Sequence, residues 1–109
     1  MANTFKLKTK ANVGVSTVGI YTVPAATATV VIGITLANTS GSGVNVGIGI
    51  TRAGTTEDVK LLKNAPIPQG SSLEFMAGNK IVLEATDTVT VDSDTNNSID
   101  AALTIMEIT

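Results

Sequence analysis

Along most of its 109 residues this chain alternates apolar and polar side chains with a period of two. That is the repeat of a strand with one covered face and one wet face. Residues 4–10 set Phe5, Leu7 and Thr9 against Lys6, Lys8 and Lys10, giving one charged face. Lysines in this spacing also guard an edge strand against unwanted pairing. Residues 11–16 are small and glycine-containing, as a connector would be, and residues 17–23 form a second strand ended by Pro24. Residues 29–39 make the best central strand. Val30, Ile32, Ile34 and Leu36 lie on one face and Val31, Gly33, Thr35 and Ala37 on the other, with no charge on either, so both faces are expected to be covered. Residues 38–43 form a turn by composition. Beyond it Val44, Val46, Ile48 and Ile50 alternate with Asn45, Gly47, Gly49 and Thr51, and the two strands around this Gly/Ser loop are predicted to form a hairpin.

Residues 51–58 turn again and 59–63 make a short strand. Residues 64–70 are expected to stay outside any ladder, because Pro66 and Pro68 lack donors. Strands follow at 71–76 and 80–84, joined by Ala77-Gly78-Asn79, and at 88–92, with Val89 and Val91 inward. After a polar loop, Ile99, Ala101, Leu103 and Ile105 alternate with Asp100, Ala102, Thr104 and Met106 in the closing strand. No window shows capped helical periodicity. About nine short strands in one chain of this size predict a single-domain antiparallel β-sandwich over residues 1–109, immunoglobulin-like or jelly-roll, with residues 1–10 as an N-terminal arm or an edge strand.

Composition narrows the chemistry. Aromatics are 3% of residues, so the core must be aliphatic. There is no His, Cys or Trp, which removes the usual neutral-pH proton carrier, thiol chemistry and disulfide stapling. No apolar leader precedes Lys6, and the longest apolar run, about residues 30–37, is far below the ~20 residues of a membrane span. The expectation is a soluble chain made in a cytoplasm. The formal net charge of −2 argues against nucleic-acid binding. Lys6, Lys8, Lys10 and Arg52 precede residue 57 without a single acid, whereas all nine acids lie from residue 57 onward beside Lys60, Lys63 and Lys80. Either strands of both halves interleave and the asymmetry disappears in space, the favoured reading, or the molecule has a basic and an acidic pole.

Several groups invite a functional reading. Asp92-Ser93-Asp94-Thr95-Asn96 opens like a calcium loop, but Asn97 stands where glycine is needed and Leu103 where the bidentate acid is needed. No metal site is assigned. Glu84 with Asp87, or Glu74 with Glu57 or Asp58, could pair as carboxylates, yet nothing supplies the cleft or shifted pKa that hydrolysis requires. Glu74, Glu84 and Glu107 are read as solubilising acids near strand ends or on polar faces. No catalytic or cofactor-binding residue is assigned, and no enzyme is expected. Contact residues are better candidates. Asn45, Gly47 and Gly49 form a strip that either packs within the monomer or meets a neighbouring subunit. Phe5, Lys6, Lys8 and Lys10 lie either on an edge strand or on an arm that adds to a partner's sheet. Pro66 and Pro68 stiffen a loop that could present Ile67 to a partner. Phe75 and Met76 are either core or an exposed anchor.

Residues 18–24 (Val-Gly-Ile-Tyr-Thr-Val-Pro), 30–38, 62–73, 80–84 and 105–109 together resemble a family of small structural proteins of tailed bacteriophages, cyanophages among them. The resemblance implies a non-catalytic virion component with a sandwich fold, made in the host cytoplasm. The expected role is a capsid decoration, or cement, protein that binds and stabilises the shell. Its expected partners are other virion proteins, the major capsid protein foremost, and further copies of itself, with no cofactor, nucleic acid or membrane. Alternatives are a neck, tail or fibre module, a carbohydrate-binding module that reads host sugars, and a calcium-dependent module on residues 92–96.

Overall fold

A computed structural model describes residues 3–54, 56–75 and 80–109. Among these residues there are nine strands and no helix: β1 (Asn3–Val13), β2 (Val18–Thr22), β3 (Ala28–Asn38), β4 (Val44–Arg52), β5 (Glu57–Ile67), β6 (Ser72–Phe75), β7 (Ile81–Leu83), β8 (Asp87–Ser93) and β9 (Ile99–Ile108). They form two antiparallel sheets. Sheet A has the order β1-β9-β3-β6, with β7 also pairing β3, and sheet B has the order β2-β8-β4-β5. β6 and β7 share one lane: β6 pairs residues 34–37 of β3, and β7 pairs residues 29–31.

The chain is thus folded back on itself as one long hairpin whose tip lies between β4 and β5, and the doubled ribbon is rolled into two sheets. β1 pairs β9, β2 pairs β8, β3 pairs β6 and β7, and β4 pairs β5. Two further pairings, β3 with β9 and β4 with β8, close each sheet. This is the jelly-roll order of the two alternatives expected. It also settles the charge question in favour of interleaving. In both sheets, strands of the basic half alternate with strands of the acidic half.

The core lies between the sheets and is aliphatic. Ile34 and Leu36 of β3 and Ile99, Leu103 and Ile105 of β9 meet Val46 and Ile48 of β4 and Val89 and Val91 of β8. Each such side chain, fully buried, contributes about 1.5–3 kcal/mol. The strands with one face on this core, β4, β8 and β9, follow their expected alternation.

Five expectations fail, each for a local reason. β3 and β4 do not form a hairpin, because they lie in different sheets. The 38–43 loop is a crossover organised by buried Asn38, whose Nδ2 donates to the Ser42 and Ile67 carbonyls, both at 2.9 Å, while its Oδ1 accepts from Ser40. The faces of β3 are not fixed along its length. A register shift leaves Ile32 unpaired between Val31 and Gly33, so Thr29 and Val31 point inward before it and Ile34 and Leu36 after it. The outer face of β3 is charge-free as expected but has no layer of this chain over it. Pro66 does enter a ladder, opposite Asn45. β5 is the outermost strand of sheet B and can spare the donor, and Asn64, at φ 54°, takes up the shift beside it. Residues 11–13 belong to β1 rather than to a connector. The predicted turn at Ala77-Gly78-Asn79, and Met76, lie outside the described residues.

Thr86 carries the left-handed φ of 71° in the turn between β7 and β8. A β-branched residue is costly there, by about 1–2 kcal/mol. Its side chain is exposed and its N–H bond to the Val23 carbonyl survives substitution. Thr86→Gly should therefore raise stability by about 0.5–1 kcal/mol, net of the entropy that glycine gives the unfolded chain. A urea midpoint equal to or below that of the parent would refute this.

Candidate functional site

β1 is an edge strand, and its register decides what it shows. Lys6, Lys8 and Lys10 stand opposite Ile105, Leu103 and Ala101, the core-facing residues of β9. The lysine face is therefore the inward one. Lys6 Nζ lies 2.9 Å from Glu107 Oε1, and Lys8 Nζ sits 5.9 Å from the centre of the Tyr21 ring. Lys10 is exposed at the far end of the strand.

These lysines cap a small polar cluster between the sheets. Glu107, expected to be a solubilising acid, is only 6% exposed. The Tyr21 hydroxyl donates to Glu107 Oε2 at 2.6 Å, and with its proton so committed it accepts from Thr29 Oγ1 at 2.8 Å. The hydrogen bond from Tyr21, then that from Lys6, holds the Glu107 carboxyl below its ordinary value of 4.5. Burial, reinforced by Glu107, pushes the Tyr21 phenol up to about 12. The cluster ties β1 and β9 of sheet A to β2 of sheet B. Its components come from residues 6, 21, 29 and 107, and no local motif announces it.

With the lysines inward, the large apolar residues of β1 face out. Phe5 is 69% exposed and Leu7 63%. Cross-strand pairing continues Phe5 into Met106, Met106 into Val30 and Val30 into Val82, which is 66% exposed. One row of four apolar residues thus crosses sheet A on its outside. Toward the other end of the same face the residues become small. Thr9, Ala11, Thr35, Ala37 and Ala102, with the charged Lys10 and Asp100, are among the residues that line a shallow hollow of about 350 Å³. Sheet B differs: its outer face shows Thr22, Thr88, Thr90, Asn45, Asp58 and Lys60.

The other expected contact residues sit elsewhere. Gly47 and Gly49 are buried, and β8 side chains lie over them. A Cβ on Gly47 would come within 2.6 Å of Asp92 Oδ1, and one on Gly49 within 3.0 Å of the Val59 carbonyl oxygen and 3.1 Å of Thr90 Oγ1. The glycine strip serves packing within the chain, leaving Asn45 exposed at its end. Ile67 is 1% exposed, in the core, and cannot be presented to a partner; Pro66 and Pro68 flank it at the surface. The loop is pinned from inside by the Asn38 bond to the Ile67 carbonyl. Phe75 packs half-buried against the core.

The acid pairs find partners too. Asp87 Oδ1 accepts from Arg52 Nε at 3.2 Å and its Oδ2 from the Glu84 N–H at 2.9 Å, while Arg52 also reaches Glu84. In the 92–96 loop, Asp92 accepts from Thr17, and Asp94 accepts from the Asn45 N–H and from Thr95. Among the described residues no group of three or more acids, His or Cys is placed to hold a metal ion.

Two expectations test this geometry. Gly49→Ala should destabilise by about 1–3 kcal/mol, because the Val59 carbonyl it would crowd is backbone and has little room to yield; an unchanged melting temperature would count against it. For Glu107, a folded pKa below the unfolded value gives stability that is complete above pH 4.5 and lost as pH falls through the depressed value. For Tyr21 the sign is opposite, with stability lost as pH rises from 10 toward about 12. Urea titrations across pH should show the acid-side loss flattened in Glu107→Gln and the alkaline loss flattened in Tyr21→Phe.

No protein-family model matches the chain, and no curated protein matches it. Among solved structures it is similar to a chain of Bacillus endospore appendages, described as a novel family of disulfide-linked pili. The two are 17% identical with a TM-score of 0.57, over 99% of this chain and 87% of that one. At that identity the likeness is one of fold: a β-sandwich spanning the whole chain.

Proposed function

We propose that this chain is a non-enzymatic structural subunit of a protein assembly and, within that class, a decoration protein of a tailed-phage capsid whose neighbours are the major capsid protein and other copies of itself. The uncovered apolar row Phe5–Met106–Val30–Val82 carries this reading. Large apolar residues grouped on one sheet face mark a contact surface more often than chance exposure does. Two observations support it. The jelly-roll frame is widely used in virus shells. The structurally similar chain belongs to a pilus, so this kind of sandwich can serve as a building unit; with no cysteine, contacts of the present chain would not be disulfide-linked. A sugar-reading role is weakened by Tyr21, whose ring is sealed between the sheets rather than offered for stacking.

Quantitative gels and mass spectrometry of purified phage particles test the reading. Hundreds of copies per particle support decoration, a few copies point to the neck, tail or fibre, and absence from every particle overturns it. The double variant Phe5→Ser, Val82→Ser should keep its melting temperature, since both positions are exposed. It should load onto shells about tenfold less or worse, because each apolar residue of this size contributes about 1.5–3 kcal/mol when buried. Wild-type loading would remove the row from the interface.

A further inference from the structure

Resting on the reading of this chain as an assembly subunit, we infer that the outer face of sheet A is a self-complementary surface that pairs with the same face of a second copy about a two-fold axis running across its strands.

Side-chain size is distributed unevenly along the strands of this face. At one end of the face stands the row Phe5, Met106, Val30 and Val82. The hollow lined by Thr9, Ala102, Thr35 and Ala37 begins four residues along β1 and β9, a separation of about 13 Å. Between them runs a middle row, Leu7, Thr104 and Gly33. A two-fold axis across the strands at that middle row turns one copy end for end. The ridge of each copy then lies over the hollow of the other: Phe5 over Thr9, Met106 over Ala102, Val30 over Thr35. Such a contact is isologous and closes at two copies. An axis along the strands would instead set ridge on ridge and leave both hollows empty.

Charge is arranged to permit this. Of the described outward positions on the five strands, only Glu74 and Asp100 are acidic and none is basic, although Lys10, on the inner side of β1, also lines the hollow. Both acids stand at the hollow end: Glu74 on a short outer strand, where it stays at the rim, and Asp100 already accepting the Asn12 N–H at 3.0 Å. The middle of the face carries no charge to desolvate.

Area is sufficient. Four lanes about 4.8 Å apart, with strands of up to eleven residues at about 3.3 Å each, give a flat face on the order of 600–700 Å². Corrugation raises its accessible area to about the 800 Å² per partner of a standard protein interface. Sheets packed face to face lie about 10 Å apart, which is the thickness that interdigitated Phe, Met and Leu side chains fill.

Thr104 sits on the central strand β9, exposed, at the expected axis, where each copy meets its own equivalent. Thr104→Asp and Thr104→Lys each place like charges against each other; an equimolar mixture places opposite ones there. Sedimentation velocity at about 50 µM should show a dimer for the parent, given that interfaces of this size bind at micromolar affinity or better. Each variant alone should sediment as a monomer, weakened about a hundredfold or more by like-charge contact, and the mixture should recover the dimer. A monomeric parent, variants that dimerise as the parent does, or a mixture that stays monomeric would overturn the pairing. Loading of the same proteins onto shells separates the two proposals. A monomeric parent that loads, while Thr104→Asp does not, removes the pairing and leaves the assembly reading standing. Equal loading of parent and variant beside a monomeric parent removes this face from both.

Discussion

The nested antiparallel pairing of the two chain halves is the constraint on which this structure depends. Each strand of residues 3–52 is laid against one of residues 57–108, and the core exists only where those pairs are rolled together. β9 bears the most of it. It lies between β1 and β3 and gives its inner residues Ile99, Ala101, Leu103 and Ile105 to the core, then Glu107 to the Tyr21 cluster. Of the three aromatic residues only Tyr21 and Phe75 reach the core, too few to organise it. Register, fixed pair by pair, does that work with aliphatic side chains of similar size.

How much of this was legible follows from where each strand sits. β4, β8 and β9 have one face on the core throughout, so a period of two in the sequence reads directly as inside and outside. β3 resisted because a single unpaired residue, Ile32, exchanges its faces midway, and the apolar residues on either side of it look alike. The turn-like composition of residues 38–43 was visible. Its role as a crossover was not, since that rests on Asn38 reaching the carbonyl of Ile67, distant in sequence. The prolines of residues 64–70 argue against a central strand, and they are right about that. An edge strand has one unpaired side, and only the sheet order reveals which strand that is.

The outer face of sheet A was half legible. Alternation in β1 separates Phe5 and Leu7 from the lysines, but which set faces the core depends on the partner's register. The usual presumption of apolar residues inside fails because the inner side of β1 overhangs a phenol and a carboxylate rather than aliphatic core. The two broad faces of the sandwich thereby differ in kind. Sheet B shows threonines, asparagine, Asp58 and Lys60 to water, whereas sheet A shows a row of large apolar side chains beside a field of small ones. The molecule therefore has one wet and one dry broad face.

The dry row draws on residues 5, 30, 82 and 106, almost the full span of the polypeptide. No fragment of the chain can display it. A nascent, clipped or partly unravelled copy lacks one or more of its members. On the reading proposed above, incorporation is thereby coupled to completeness: the surface that would admit a molecule to a larger structure is also proof that the molecule is whole.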